Sequence, residues 1–243
     1  MPPSSIDLNC DLGEGAGHDV EIMPFITSAN IACGGHAGDE ATMRATVALA
    51  KQHGVAIGAH PGFADRENFG RSGEVPATAE ISRLVGAQIA ALQAIAPVRH
   101  VKPHGLLYNL AARDRKIASA VAIAVHAADS KLILFALAGS ELAAAGRRCG
   151  LRVAEEAFAD RSYERDGSLT PRSRTGAVLT NDSVAVAQVL SIILRGSVRA
   201  TDGTDVKIKA GTLCVHGDRP GGAELARKIR HVLAAAGMTV KAP

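Results

Sequence analysis

The sequence has few aromatic residues and no tryptophan. Aromatic residues make up only 3% of the 243 residues, whereas hydrophobic residues reach 47% and charged residues 21%. This balance excludes a disordered chain. The core must therefore be built from Ala, Val, Ile and Leu, which is typical of helices packed closely on a parallel β-sheet.

Other absent signals exclude whole classes of function. The net charge is only +3, and no basic tract or aromatic stacking motif supports nucleic-acid binding. The most apolar stretch, Ile117 to Ala138, is interrupted by His126, Asp129 and Lys131, so it does not predict a membrane span. The first residues, Met1-Pro2-Pro3-Ser4-Ser5, lack the charged and apolar regions of a secretory signal.

Familiar cysteine and phosphate motifs are missing as well. No CxxC pair occurs among the four cysteines, which predicts a reduced, cytoplasmic protein; they are Cys10, Cys33, Cys149 and Cys214. There is no GxxxxGK[ST] loop, and the glycine-rich segment Gly13–Gly17 contains Glu14, which would repel phosphate. The segment Gly34–Gly38, just before a predicted helix start, is a better anion site.

The first predicted strand alternates between apolar and polar residues. Its two faces are Ile6, Leu8, Cys10 and Leu12, and Asp7, Asn9 and Asp11. The polar face is costly to bury unless it is paired, hydrated or bound to something. An edge strand with its polar face in water is the alternative. Because a glycine loop follows directly, we favour a barrel strand whose carboxyl end contributes to a functional site.

Seven apolar segments recur along the chain, most of them followed by a helical pattern. They are Ile6–Cys10, Ala29–Cys33, Val55–Ala59, Val98–Val101, Leu132–Ala136, Arg152–Ala157 and Thr212–Val215. Repeated strand–helix units indicate a parallel sheet. We predict an α/β fold in which residues 1–243 form a single (β/α) barrel domain, seven-stranded and irregular. An open doubly wound sheet is the second possibility.

Predicted helices separate these segments. They are Asp39–His53, Thr78–Ala96, Ala112–Ala128, Ser140–Arg148, Asp182–Leu194 and Gly222–Ala236. The segment Ser197–Lys209 predicts a small hairpin around Asp202-Gly203. The polar, arginine-rich segment Asp160–Thr180 predicts a long loop that is either a lid over an anionic substrate or a solvated excursion.

Polar side chains end most of the predicted strands. They include His36, His60, Lys102, His104, Glu156, Asp160, Arg161, His216 and Asp218. In a β/α barrel these strand ends meet at one face, which is where catalytic sites are built. Lys102 can neutralise an anionic substrate there, or form a salt bridge with Asp7, Asp11 or Glu156.

Two other kinds of chemistry fit residues at the same face. Aspartate with several histidines can hold a divalent metal, for which Asp11, His60 and His104 are the candidates. No HExxH or HxxxH pair supports a metal, so its geometry would have to come from the fold. We expect Cys10, Cys33 and Cys214 to be small buried residues rather than nucleophiles, because no basic signature lies beside them.

Five motifs, in order along nearly the whole chain, resemble the LamB/YcsF family. They are Asp7–Glu14, Asn30–Asp39, Gly58–Phe63, Val101–Gly105 and Cys214–Asp218. The resemblance implies a barrel similar to those of polysaccharide deacetylases and ATP-dependent opening of 5-oxo-L-proline to L-glutamate. It also implies ATP with Mg²⁺, no tightly bound organic cofactor, and two partner subunits of the PxpB and PxpC type. One departure is Gly211, where the family usually has aspartate.

We therefore expect an enzyme site for a cyclic amide with a carboxylate. The residues expected to be catalytic are Asp11, His60, Lys102 and His104, with Asp11 and one histidine activating water. Those expected to bind substrate are Asp7, Asn9, Gly34, Gly35, His36, Glu156, Arg161 and His216. The alternatives are a metal-dependent carbohydrate deacetylase and a non-catalytic lactam-binding subunit.

Overall fold

The computed structural model describes residues 5–217 and 221–243, so Asp218 lies outside the described residues. The strands in these two ranges are β1 (Ser5–Leu12), β2 (Ser28–Ala32), β3 (Ala56–His60), β4 (His100–Val101), β5 (Ile133–Leu137), β6 (Arg152–Phe158), β7 (Ser197–Arg199), β8 (Asp205–Lys207), β9 (Thr212–Cys214) and β10 (Thr239–Val240). Each of the seven predicted segments overlaps one of β1 to β6 or β9.

Seven parallel strands close into a barrel. Strands β1 to β6 pair in sequence order, β6 pairs with β9 through Ala157 and Leu213, and β9 returns to β1 through Leu213 and Leu8. Both β4 and β9 are short, and β10 adds to the beginning of β1 outside the barrel. The prediction of an irregular seven-stranded barrel is confirmed, and the open sheet was wrong.

Helices surround the barrel. Within the described ranges they are α1 (Asp19–Ile22), α2 (Glu40–His53), α3 (Thr78–Gln93), α4 (Gly105–Arg113), α5 (Arg115–Ala128), α6 (Glu141–Arg148), α7 (Asp182–Arg195) and α8 (Gly222–Ala235), with a 3₁₀ turn over Met23–Phe25. Their apolar faces and the outer faces of the strands form the main core, which is rich in Ala, Val, Ile and Leu. Among the described residues, no helix has the length and hydropathy needed to cross a membrane.

Local differences from the prediction have identifiable causes. The predicted helix Ala112–Ala128 is divided at Asp114, whose carboxylate accepts hydrogen bonds from the N–H groups of Lys116 (2.7 Å) and Ile117 (3.1 Å) and so caps α5. The short α1 and β10 were not predicted. The hairpin around Asp202-Gly203 is confirmed by the antiparallel pairing of β7 with β8.

The polar face of β1 lies inside the barrel. The Asn9 side chain on β1 donates to Glu156 on β6 (2.9 Å), although β9 separates these strands, so the contact crosses the lumen. Asn9 also donates to Thr212 (2.7 Å) and accepts from Asn30 (2.8 Å). A polar face is therefore tolerated here because its groups bond to one another across the barrel.

The segment 160–180 forms an ordered wall instead of a lid. The Arg161 side chain donates to the carbonyls of Ala177 (3.1 Å) and Thr170 (2.6 Å). Tyr163 is fully buried, and its hydroxyl accepts a hydrogen bond from the Phe158 N–H (2.7 Å). Because these buried contacts attach the segment to the end of β6, the expectation of a mobile cover is not supported.

A glycine in β3 allows a buried histidine to lie flat in the lumen. A Cβ at Gly58 would overlap the His100 ring, which stacks on Phe135 at 4.2 Å and bonds to Asn30 at 2.8 Å. We predict that Gly58→Ala lowers the free energy of unfolding by at least about 2 kcal/mol, since overpacking a rigid core typically costs about 1–3 kcal/mol. Urea denaturation measures this change.

The matched control is Gly86, which lies inside α3 with nothing near its missing Cβ. Gly86→Ala should leave stability unchanged or raise it by about 0.5–1 kcal/mol, as alanine favours a helix. Equal effects of the two substitutions would contradict the role assigned to Gly58.

Candidate active site

A cavity of about 800 Å³ lies at the carboxyl ends of the barrel strands. This volume is within the usual range of small-molecule sites, roughly 300–1,000 Å³. The predicted residues Asp11, His60, Lys102, His104, Arg161 and His216 line it, together with Glu14. The barrel face predicted from the strand ends is therefore the face that holds the cavity.

The buried ammonium group of Lys102 lies between two carboxylates. Its Nζ is 2.8 Å from Asp11 Oδ1 and 3.0 Å from Glu156 Oε1. It also lies 3.1 Å from Cys214 Sγ. Burial alone lowers the pKa of Lys102, but the charges of Asp11, Cys214 and Glu156 outweigh that effect and hold the pKa well above its usual value. Lys102 is therefore a permanent cation whose partners belong to the barrel.

Asp11 connects Lys102 to the histidines. One carboxylate oxygen bonds to Lys102, and the other lies 3.3 Å from His60 Nε2. Burial raises the pKa of Asp11, but the nearby His60 and Lys102 dominate and hold it well below its usual range. Asp11 is thus an ionised carboxylate at the cavity wall.

Three histidines surround one oxygen of Glu14. Glu14 Oε1 lies 3.0 Å from His36 Nε2, 3.3 Å from His104 Nδ1 and 3.6 Å from His60 Nε2. The rings of His36 and His104 stack in parallel at 3.6 Å. We call Glu14, His36, His60 and His104 the histidine cluster; one donor atom from each lies within 4.8 Å of the others.

The outer hydrogen bonds of the cluster fix two tautomers. His60 Nδ1 lies 2.7 Å from the Lys102 carbonyl, and His104 Nε2 lies 2.9 Å from the Phe69 carbonyl. Since a carbonyl only accepts, both of these nitrogens carry protons. The unprotonated nitrogens then face each other at 2.9 Å, beside Glu14. This concentration of lone pairs and negative charge requires a proton or a metal cation.

Electrostatics keep most of the cluster in the form that ligates metals. Burial lowers the pKa of His36 to about 4 and also lowers that of His104. Burial raises the pKa of Glu14, but hydrogen bonds from His104 and His36 outweigh this and hold it well below normal. Burial lowers the pKa of His60, whereas the charge of Asp11 raises it to above its ordinary value. Neutral imidazoles with an ionised carboxylate suit a divalent transition metal.

The buried His36 Nδ1 gives the cluster a further unusual property. Among the described residues it has no hydrogen-bond partner. This nitrogen packs against Gly62, whereas Nε2 of the same ring is directed at Glu14, so Nδ1 lies outside the cluster. The donor set of the cluster alone therefore supports a metal there.

A second group of possible metal ligands is less suitable. Donor atoms of Asp11, Cys214 and His216 also lie within 4.8 Å of one another. However, Lys102 Nζ contacts both the Asp11 carboxylate (2.8 Å) and the Cys214 sulfur (3.1 Å), so a fixed positive charge occupies the place of a cation. Burial also raises the pKa of the Cys214 thiol well above its usual value.

His216 lies on another part of the cavity wall and pairs with Asp160. His216 Nδ1 is 2.7 Å from Asp160 Oδ1, and its backbone N–H donates to Asp160 Oδ2 at 3.2 Å. Asp160 is completely buried, and the His216 side chain retains 11% exposure. The carboxylate therefore fixes the orientation of an imidazole that borders the cavity.

Some predicted site residues lie deeper than expected. Asp7 is at the amino end of β1, where its carboxylate accepts hydrogen bonds from Thr27, Ser28 and Thr212. Burial raises its pKa to about 6. Asp7 and Asn9 are both closed off in the lumen below the cavity, so they support the barrel and the structure does not bring them to a ligand. Because the Asp7 carboxylate is bonded to these three hydroxyl groups, it does not form the salt bridge to Lys102 that was one of the predicted alternatives.

The glycine segment 34–38 is already bonded internally. The Gly34 N–H donates to the Ala37 carbonyl (2.9 Å), and the Asp39 carboxylate caps α2 through the Thr42 N–H (2.8 Å). Gly35 packs so tightly that a Cβ would lie 2.6 Å from Gln88 Oε1. The structure does not support the anion site predicted at Gly34 and Gly35, because the helix start is occupied by a carboxylate.

Two other predicted binding residues also bond to the protein itself. Glu156 accepts hydrogen bonds from Tyr108 (2.6 Å) and Asn9 (2.9 Å) in addition to its ion pair with Lys102. Burial lowers the pKa of Arg161 to about 10, and the guanidinium donates to the carbonyls of the segment 160–180. Arg161 thus forms part of the cavity wall and Glu156 lies buried in the lumen, and both side chains are bonded to the protein itself.

The sequence analysis missed Glu14, Tyr108 and Asp160 as site residues. Glu14 directly follows β1 in an acidic glycine loop, a signal that on its own indicates only a segment unfavourable for phosphate. Asp160 is among the strand-end residues, and its contact with His216 depends on the adjacency of β6 and β9. Tyr108 lies on α4, which the hydrophobic pattern did not predict.

The chain is similar over its full length to proteins of one family. The sequence model of the LamB/YcsF family matches residues 6–243. A protein of Geobacillus kaustophilus that is named as the A-type subunit of 5-oxoprolinase is 50% identical over 248 residues, which cover 98% of this chain and 97% of that protein.

Solved structures give the same picture. The crystal structure of the lactam utilization protein from Thermus thermophilus has a TM-score of 0.91 and 45% identity, covering 98% of this chain and 100% of that one. A structure described as T48 deacetylase with substrate has a TM-score of 0.50 and 12% identity, covering 98% of this chain and 87% of that one. The latter similarity confirms only the expected deacetylase-type barrel.

Burial of the thiols predicts their reactivity. Cys10, Cys33 and Cys214 are buried, and burial raises the pKa of each thiol, to about 12 for Cys33. Cys149 at the end of α6 is partly exposed. Since the thiolate is the reactive form, we expect an aromatic disulfide reagent at pH 8 to modify about one thiol rapidly in the native chain and all four after denaturation. Rapid native labelling of Cys214 would contradict this assignment.

Proposed function

The chain belongs to the LamB/YcsF family, and from this we propose that it is the subunit of an ATP-dependent 5-oxoprolinase that opens 5-oxo-L-proline to L-glutamate. The observation that carries the proposal is the full-length 50% identity to a protein named as the A-type subunit of 5-oxoprolinase. The cavity supports it, because an ionised carboxylate and several histidines line a space suited to a small polar ligand. No observation gives the carbohydrate deacetylase alternative comparable support.

Opening of a lactam needs a base that activates water and an acid that protonates the leaving nitrogen. We assign the base to the Asp11 carboxylate, and His60, whose Nε2 lies 3.3 Å from it, helps to fix its orientation. His104 contacts His60, with its Nδ1 2.9 Å from His60 Nε2, and so helps to position the His60 ring. Lys102 acts by keeping Asp11 ionised and oriented, since its ammonium group is already bonded inside the barrel.

We further propose that the histidine cluster, Glu14 with His36, His60 and His104, holds a divalent transition metal. Of the metal candidates taken from the sequence, His60 and His104 belong to this set, and Glu14 replaces Asp11 as the carboxylate because Asp11 is bonded to Lys102. A cation held there would supply Lewis-acid polarisation of a carbonyl oxygen. Hydrogen bonds to the backbone carbonyls of Lys102 and Phe69 would orient two of the ligands.

The energy for the reaction must come from elsewhere in the assembly. A five-membered lactam is an unstrained amide, so complete opening requires coupling to a reaction such as ATP hydrolysis. This sequence contains no Walker-type phosphate loop. We propose that two partner subunits of the PxpB and PxpC type contribute the coupling with ATP and Mg²⁺.

The domain organisation and the cellular compartment of the protein are also part of the proposal. The main hydrophobic core has members from Ile6 to Met238 and supports the proposal of a single domain over residues 1–243. The four cysteines are free, as expected for a reducing compartment, and we propose that the assembly works in the cytoplasm.

We predict that the purified chain, given 5-oxoproline, ATP and Mg²⁺, forms little or no glutamate. Addition of the two partner subunits should give glutamate and phosphate in equal amounts, measured by chromatography and a phosphate assay. A heat-denatured sample of this chain added to the partners is the control. Vigorous ATP-dependent glutamate formation by the chain alone would refute the proposed division of labour.

We predict that the metal-stripped chain binds one equivalent of Zn²⁺ and that His36→Gln weakens this binding at least about tenfold, because it removes one ligand. Calorimetric titration measures binding without any need for turnover. His126→Gln, a change of an exposed histidine on α5, should bind Zn²⁺ like the unmodified chain. Equal affinity of the two variants would exclude a metal at the histidine cluster.

A further inference from the structure

Lactam opening also needs an acid for the leaving nitrogen, and neither the proposed base nor the proposed metal ligands supply it. The pair formed by His216 and Asp160 is available for this role. Both oxygens of Asp160 accept hydrogen bonds from His216, one from the ring and one from the backbone. Asp160 itself is completely buried, so the pair is fixed in the wall where β6 and β9 end. A buried carboxylate that accepts from both the ring and the backbone holds the imidazole in one orientation.

The free edge of the imidazole is on the cavity side. Because Asp160 accepts at Nδ1, that nitrogen carries a proton, and Nε2 lies at the opposite edge of the ring. The ring lies against Phe158, at 5.8 Å between centroids and 22° between planes. Gly217 closes tightly on β1, since a Cβ there would be 3.1 Å from Cys10 Sγ. The ring is thus held in one position beside the space for a ligand.

Resting on the lactam-opening function proposed above, we infer that His216 is the general acid that protonates the leaving nitrogen and that Asp160 is its positioning residue. Water first adds to the lactam carbonyl carbon while its proton passes to the Asp11 carboxylate. The C–N bond then breaks, and its electron pair on nitrogen takes the proton from His216 Nε2. His216 is left neutral and regains a proton from solvent, while Asp11 releases to solvent the proton it took from water, so this step adds one water across the C–N bond.

The position of His216 relative to Asp11 fits the assignment of one residue as acid and the other as base. A donor atom of His216 lies within 4.8 Å of one of Asp11, so the acid and the base border the same small volume. His36 and His104 instead direct nitrogens at Glu14, and Lys102 is bonded to two carboxylates. Among the described residues, His216 therefore combines a cavity position with an anionic partner behind the ring.

The charged surroundings of His216 come from several strands. Asp160 approaches from the end of β6, Asp11 from β1 and the Cys214 thiol from β9, with Lys102 from β4 bonded to both Asp11 and Cys214. A measured pH dependence of activity must therefore be compared with the titration of each of these groups.

The test uses the assembled enzyme with 5-oxoproline, ATP and Mg²⁺. His216→Asn keeps a donor for Asp160 but has no acidic proton, and we expect it to lower kcat at least about hundredfold, as removal of a positioned acid typically costs about 10²–10⁴. In His216→Ala, added imidazole should restore activity in proportion to the imidazolium concentration as the pH is lowered. His231→Ala, at an exposed position of α8, is the control and should be unaffected by imidazole.

Asp160→Asn tests the positioning role separately. Because Asp160 fixes the ring that donates the proton, we expect the substitution to lower kcat while KM stays unchanged, a separation that simple structural damage would not produce. Circular dichroism and thermal unfolding confirm that each variant is folded.

Three results would overturn the inference. They are activity of His216→Asn within about threefold of the unmodified enzyme, rescue of His216→Ala by neutral imidazole, and loss of activity in His216→Ala without rescue at any pH. A complex with the unmodified chain that forms no glutamate would instead refute the proposed lactam opening, so the two failures are distinguishable.

Discussion

The ammonium group of Lys102 is the interaction on which the site depends. It lies in a closed barrel between Asp11 of β1 at 2.8 Å and Glu156 of β6 at 3.0 Å, and only β9 separates these two strands. Without this cation, two carboxylates would be buried near each other with no compensating charge, which is strongly unfavourable. The proposed base, Asp11, therefore owes its ionised state to His60 and to Lys102, and Lys102 does not itself need to touch a ligand.

Charge separation divides the mouth of the barrel into two regions. On one side, Glu14 and the neutral imidazoles of His36 and His104 make an environment for a cation. On the other, Lys102 occupies the space between Asp11 and Cys214 and makes the neighbouring group around His216 unsuitable for one. Asp11 lies on the border, with one oxygen on Lys102 and the other near His60.

The barrel was predictable because apolar strand segments alternate with helical patterns and are well separated along the sequence. The strand-end rule also located His60, Lys102 and His104 at the cavity. The rule could not show how far each side chain lies from the cavity. Asp7 and Asp11 share a face of β1, but only Asp11 reaches the cavity, because Asp7 lies nearer the amino end of the strand. Nor could it show that the Gly34 N–H bonds to the Ala37 carbonyl or that the Asp39 carboxylate occupies the start of α2. The family difference at Gly211 lies at the amino end of β9, where its carbonyl accepts from the Asp7 N–H, away from the site.

The closure of β9 on β1 has a consequence for how the protein folds. The hydrogen bond from Thr212 to Asp7 joins residues 205 positions apart, so it forms only when nearly the whole chain has been gathered, at a considerable loop-closure cost. Until then the polar face of β1 has no complete set of partners and stays hydrated. Water therefore leaves the lumen, and the buried charges find their partners, in one late event. A partly closed barrel would expose the polar face of β1 while the outer helices were already packed.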